Sequence, residues 1–243
     1  MIAILGSSKD DISYIKQKMA KVETVRCNQE LDFYLGKYAG KDVVLAVMGD
    51  SNILSAMVTA ICIEKFRPYL IINIGTVTSV DVRHLPLNSY LVGERVYTSD
   101  VDFTATTRNK YGQLPGYPMF FIGNVDLGNT IVEGNAGLPN SVKIRSGEVL
   151  SSDKFYVDME EYGEKVNTHF AKLENLMAID NSSGGVATVA YSYDLPFLVI
   201  KSVNYELGVK DQMIARVRRG LEQSVIIAQV IMKIFENIDR SDN

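Results

Sequence analysis

LPFLVIKSVNYELG, residues 195–208, reads as a strand that changes character along its length. Pro196 precedes the apolar run Phe197, Leu198, Val199 and Ile200, as at the start of a buried strand. The chain then turns polar at Lys201, Ser202, Asn204, Tyr205 and Glu206. In an open α/β sheet, ligands are held beyond the carboxyl ends of the strands. The stretch therefore predicts a central strand whose carboxyl end carries a ligand, with a tyrosine four residues after a lysine.

The same alternation of apolar run and helix-period segment extends in both directions. IAIL (2–5) leads to a helix from Asp10, VVLAVMG (43–49) to a helix from Ser51, and YLIINIG (69–75) follows. Later come VKIRSGEVL (142–150), a helix around 158–169, MAI (177–179), a helix from Ser182, FLVIKSV (197–203), and a terminal helix over about 211–237. Ser51, Ser182 or Ser183, and Asp211 are the expected helix caps. Such alternation predicts an α/β fold with parallel strands and crossover helices on both sheet faces. Between 85 and 125 the pattern breaks into YLVGERVYTSDVDFTA and the turn-rich NKYGQLPGYPMFF, a connection long enough to be functional or an interface. With no repeat and no Gly/Ser linker, residues 1–243 are expected to form one domain.

Composition narrows the function classes. With 47% hydrophobic and 22% charged residues, the 243-residue chain is suited to a large core. A net charge of -4 gives no general reason to bind nucleic acid or an anionic membrane. The one short basic group, Arg216, Arg218 and Arg219, is expected on a solvated helix face. Cys27 and Cys62 stand far apart in apolar contexts, which suits buried thiols in a reducing compartment. The first apolar run is too short for a secretion signal, and SVIIAQVIMKIF (224–235) is broken by Gln229 and Lys233, so a cytoplasmic location with no membrane span is expected. His84 and His169 are isolated, so neither a metal site nor a histidine triad is expected, and no cofactor.

Three strand ends carry candidate chemistry. GSSKDD (6–11) has a glycine where backbone can approach a ligand and two acids in the first turn of a helix. INIGTVTS (72–79) offers hydroxyls and amides after Gly75 without forming a phosphate-binding fingerprint. MAIDNSSGGVA (177–187) ends at Asp180, Asn181 and Ser182, and Ser183-Gly184-Gly185 open a helix whose amides could meet a polar group.

Taken in order, IAILG, INIG, DFTA, YGQLPGYP (111–118), RSGE and LPFLVI resemble the purine nucleoside phosphorylase superfamily, within it the methylthioadenosine/S-adenosylhomocysteine nucleosidases. The resemblance covers nearly the whole chain. It implies a three-layer α/β/α sandwich with a central mixed sheet, a homodimer in which YGQLPGYP reaches the neighbour's pocket, and cleavage of the N-glycosidic bond of an adenine nucleoside. That chemistry needs a general acid near the purine, a carboxylate on the ribose hydroxyls and an acidic group to orient water.

Carried onto this chain, the resemblance makes Asp11 the water-orienting acid and Thr76 the hydroxyl after the strand-end glycine, with Val77 beside it. Asn181-Ser182 stand where the family has Met-Glu at the ribose, and Tyr205 stands at the general acid's position. Lys201 replaces an arginine, and Leu150 falls at the purine-stacking phenylalanine. Ser8, Ser151, Phe103 and Pro115 complete the implied substrate-binding set. Glu206 is one residue from Tyr205 and so points to the opposite strand face, and Asp180 is expected to meet the same difficulty relative to Ser182. Two readings follow: a slow adenine-nucleoside hydrolase, or a catalytically inactive nucleoside-binding or structural paralogue that keeps fold and dimer.

Overall fold

A computed structural model describes residues 1–105, 108–133, 138–139, 142–156, 158–209 and 213–241, with side chains in the last helix from 222 to 238. Asp211 and the side chains of Arg216, Arg218 and Arg219 lie outside that description. In chain order the elements are β1 (Ile2–Gly6), α1 (Lys9–Lys18), β2 (Ala20–Arg26), β3 (Asp32–Tyr38), β4 (Lys41–Val47), α2 (Asn52–Phe66), β5 (Leu70–Ser79), β6 (Tyr90–Thr98) and β7 (Phe121–Ile122). There follow α3 (Val125–Glu133), β8 (Ile144–Ser151), α4 (Met159–Lys165) with a π-helical turn at Val166–Phe170, β9 (Leu176–Asp180), α5 (Ser183–Ser192), β10 (Phe197–Glu206) and α6 (Met213–Ser241).

The parallel core strands bury both faces, and alternate residues divide between two cores. Ile2, Ile4, Val43, Leu45, Leu70, Ile72, Leu198 and Ile200 pack with Ile12 and Ile15 of α1 and Ile227, Ile231 and Phe235 of α6. Their neighbours Ala3, Leu5, Val44, Ala46, Ile71, Phe197 and Val199 pack with Val58 and Cys62 of α2 and Val186 and Ala190 of α5. Helix, sheet and helix thus form the expected three layers. Each large aliphatic side chain among them contributes about 1.5–3 kcal/mol when fully buried.

The sheet is mixed, in the order β10-β6-β8-β9-β5-β1-β4-β3-β2, and β10 also pairs with β5. β5 is long enough to serve two neighbours on one edge, β1 over Leu70–Ile74 and β9 at Thr78 and Ser79. The sheet therefore closes through β5, β10, β6, β8 and β9. Each strand of this ring sends a side chain inward, Val77, Val203, Leu91, Val149 and Ala178, around Leu85. The sequence reading has no counterpart for this closure, nor for β2, β3 and α3. β2 is almost wholly exposed, so it carries no apolar face from which a strand could be read.

Gly185 shows how tightly α5 is set. A Cβ there would lie 2.1 Å from the Asn52 carbonyl oxygen and 2.3 Å from Ser55 Oγ. Backbone cannot yield as a flexible side chain does, so Gly185→Ala is expected to cost at least about 1–3 kcal/mol, measured as a lowered urea midpoint with an unchanged m-value.

Candidate active site

The register between β5 and β10 sets Lys201 beside Gly75, at the point where both strands turn from apolar to polar. Gly75 has φ +148°, and a Cβ on it would stand 2.8 Å from Ser7 Oγ and 3.4 Å from Lys201 Nζ. The missing side chain lets the lysine fold into the layer beneath the strand ends. Lys201 is fully buried, as is Asp180 at the end of β9, and Lys201 Nζ lies 3.1 Å from Asp180 Oδ2. Lys201 Nζ donates to Ser182 Oγ at 2.8 Å, and Ser182 Oγ lies 3.2 Å from Ser7 Oγ. Burial alone would raise the Asp180 carboxyl, but the Lys201 ammonium and hydrogen bonds led by Ser183 outweigh it and hold its pKa below the usual value.

Above this cluster lies a cleft of about 190 Å³ lined by Ser7, Asp50, Thr76, Val77, Thr78, Asp153, Phe155, Ile179, Asp180, Asn181, Ser182 and Tyr205. Thr76, Val77, Asn181, Ser182 and Tyr205 are thus brought together as the sequence implied. Tyr205 is buried, and its ring meets Phe155 edge to face at 5.8 Å and 86°. A bulge at Asn204 breaks the β10 register between Val203 and Tyr205.

Asp11 is buried in the first turn of α1 and is not among the residues that line the cleft. Ser8 caps α1, and the Asp11 carboxylate returns the bond: its Oδ2 accepts from the Ser8 amide at 2.7 Å and from the Ser8 hydroxyl at 2.9 Å. Burial raises the Asp11 pKa, opposed by the Ser8 hydrogen bonds and by the charge of Lys201. Ser8 is therefore a helix cap and carboxylate holder, set back from the cleft.

Other residues of the implied set stand apart from the cleft. Leu150 is fully buried among Tyr97, Tyr156, Tyr162, Phe170 and Ile179. Ser151 Oγ is spent on Asn52 Oδ1 and on the Gly184 amide, both at 2.9 Å. Phe103 and Pro115 are exposed and belong to the long connection before β7. That connection is anchored by Tyr117, whose hydroxyl lies 3.0 Å from Ser192 Oγ of α5.

Three local expectations are corrected. Ser182 makes no side-chain cap bond; its hydroxyl is engaged by Lys201, and Asp180 caps α5 by accepting from the Ser183 amide at 3.1 and 3.2 Å. The Gly184 and Gly185 amides are satisfied by Ser151 Oγ and Asn52 Oδ1, so the α5 terminus offers no anion site at these amides. Asp180 also lines the cleft rather than turning from it. Asp180 stands two positions from Ser182, not one, so period-2 alternation puts the two on the same side, and both line the cleft. Asp50, Asp153 and Phe155, which also line the cleft, lie on loops outside the strand-end motifs, and Ser7 belongs to the GSSKDD motif but is not among the site residues read from that motif.

The model of the phosphorylase superfamily matches residues 1–227. The chain belongs to that superfamily. It is similar to the 5'-methylthioadenosine/S-adenosylhomocysteine nucleosidase of Listeria innocua, 29% identical over 206 residues that make up 84% of this chain and 85% of the relative. The corresponding protein of Bacillus thuringiensis is 28% identical over 98% of this chain and 99% of its own length. The same fold is found in the Colwellia psychrerythraea nucleosidase in complex with adenine, with TM-score 0.84, 24% identity and coverage of 96% and 93%. It recurs in the Neisseria meningitidis nucleosidase in complex with methylthio-immucillin-A, with TM-score 0.85, 23% identity and coverage of 97% and 98%.

Proposed function

We propose that the chain binds an adenine nucleoside in this cleft and hydrolyses its N-glycosidic bond slowly. The observation that carries the reading is that Thr76, Asn181, Ser182 and Tyr205, drawn from β5, the β9–α5 turn and β10, line one cleft in a chain of this superfamily. In the reaction, the bond between base and ribose breaks with its electron pair going to the base. A water oxygen bonds to the ribose carbon and gives its proton to Asp11. The Tyr205 hydroxyl, a weak acid at a reference pKa of about 10, gives its proton to the departing base and regains one from solvent, while Asp11 releases the proton it took to solvent. The cleft wall carries Asp50, Asp153 and Asp180 and, among the described residues lining it, no lysine or arginine, which favours water over a phosphate ion as acceptor.

The deciding measurement is adenine release from methylthioadenosine and S-adenosylhomocysteine with micromolar protein over hours. Because Asp11 must be ionised to accept the proton, and burial raises its pKa, kcat/KM is expected to fall on acidification at a pH above the ordinary carboxylate value of about 4. A profile flat down to that value would exclude Asp11 as the base.

A second reading, nucleoside binding without turnover, is favoured by Lys201. Its ammonium donates to Ser182, where the resemblance has a ribose carboxylate, and is paired with Asp180, so the pair leaves no net negative charge there to stabilise a cationic ribose. Adenosine binding with no adenine release supports that reading.

The homodimer is part of the proposal. Ile53, Leu54 and Met57 of α2 and Tyr191 of α5 are exposed on two helices that pack together. Light scattering is expected to give twice the chain mass, and Ile53→Asp with Met57→Asp to reduce it to one chain. Among the described residues no helix is long and apolar enough to cross a membrane; the free cysteines are consistent with a cytoplasmic site of action.

A further inference from the structure

Three helices begin at the cleft. Ser7, Asp50 and Ser182 line it, and each stands just before the first residue of α1, α2 or α5. Helix N-termini with open amides attract anions, phosphate above all.

Here those amides are spent within the chain. At α2, Asp153 Oδ1 accepts from the Asn52 amide at 2.6 Å, and Ser51 Oγ accepts from Ile53 and Leu54 at 3.1 and 3.4 Å. At α5, Asp180 accepts from the Ser183 amide, and Ser151 Oγ and Asn52 Oδ1 take the next two. At α1, Asp11 takes the Ser8 amide, and Ser8 Oγ accepts from the Asp11 amide at 3.3 Å. Each terminus thus holds a carboxylate of this chain where an anionic ligand would otherwise sit.

The remaining charge of the cleft lining is negative and lies at the rim. Lys201 balances Asp180 at the buried end, whereas Asp50 and Asp153 are exposed. At about 190 Å³ the cleft is smaller than the roughly 300–1,000 Å³ usual for ligand sites, so a nucleoside fills it and its outermost substituent stands at the rim. Tyr205, the residue assigned to the base, is only 6% exposed. The base therefore lies deep and the ribose 5′ carbon outermost.

We propose that the cleft selects adenine nucleosides whose 5′ substituent is cationic, an ammonium or sulfonium group, with Asp50 and Asp153 receiving that charge. A 5′-phosphate meets the same two carboxylates and finds the first amides of α2 and α5 already bonded, so it is rejected. The selection rests on the adenine-nucleoside reading and adds to it the charge class of the substrate.

The test compares three probes that differ only at the 5′ carbon: adenosine, 5′-amino-5′-deoxyadenosine and adenosine 5′-phosphate. Their affinities are measured by calorimetry at pH 7 in low and in physiological salt, for the wild type and for Asp50→Asn with Asp153→Asn. The ammonium is expected to bind the wild type about 10-fold tighter than adenosine, and the phosphate at least about 10-fold more weakly, the effect of one hydrogen-bonded charge. Both differences are expected to shrink as salt is added. In the double variant the three affinities are expected to converge to within about 3-fold. Asparagine at 153 keeps an oxygen for the Asn52 amide, and an unchanged melting temperature separates lost selection from lost fold. Wild-type protein that binds ammonium and adenosine equally, or a preference that survives intact in the double variant, overturns this selection and leaves the nucleoside reading standing. Wild-type protein that binds none of the three overturns both, and the wild-type comparison decides even where the variant does not fold.

Discussion

Adenine release is expected to rise about 10²- to 10⁴-fold when Ser182→Glu and Tyr205→Asp are made together, the range a positioned general acid contributes. Both residues line the same cleft, so the new carboxylates face its interior without any change of backbone. The aspartate introduced by Tyr205→Asp would supply a proton from a group whose pKa its buried position can raise toward neutrality, which the tyrosine's reference value near 10 does not allow. The glutamate introduced by Ser182→Glu would take the position of Ser182 Oγ, 2.8 Å from Lys201 Nζ, and present an anion to the ribose hydroxyls. The single variants are expected to gain far less, because acid and ribose carboxylate act on one transition state. The check is the rate of adenine formation from methylthioadenosine for wild type, both singles and the double. A double variant that folds, binds adenosine and releases adenine no faster than wild type would show that the obstacle lies elsewhere, with the Asp11 geometry as the next suspect.

Lys201→Met is expected to cost about 3–5 kcal/mol, because it leaves Asp180 buried without its counter-charge. The pH dependence of stability identifies the cause. With Lys201 present the folded Asp180 pKa lies below the unfolded one, so its contribution is present above about pH 4 and is lost as pH falls through the folded value. In Lys201→Met, burial dominates and raises the Asp180 pKa. Its contribution is then greatest below the unfolded pKa and is lost as pH rises. Urea midpoints across the acid range are therefore expected to change the sign of their slope between wild type and variant. The pair Asp180→Asn with Lys201→Met should recover much of the loss, since no buried charge remains. Equal slopes in wild type and Lys201→Met would dissolve the argument that the pair holds the site together.

Much of this was open to sequence reading. Apolar runs at 2–5, 43–49, 69–75 and 197–203 identified the core strands, because strands covered on both faces are apolar over most of their length. The change to polar residues at Lys201 and after Gly75 marked where the cleft lies, since a ligand site needs polar groups at the edge of an apolar layer, although both strands run on past that change, to Glu206 and Ser79. Replacement of the family's Glu and Asp by Ser182 and Tyr205 was also visible, because it depends only on residue identity.

What the chain does with those residues required the tertiary structure. Asp180 and Lys201 lie 21 positions apart, and only the pairing of β5 with both β9 and β10 brings their charges to 3.1 Å. Phe155 enters the cleft because Asn181, Asp100 and Asn52 hold its loop, none of them near it in sequence. Closure of the sheet on itself depends on the length of β5 and on which edge each neighbour takes. Residue type and period are local properties of a chain and can be read directly. Charge pairing, loop position and sheet closure are set by contacts between distant segments, and they exist only once the packed layers have brought those segments together.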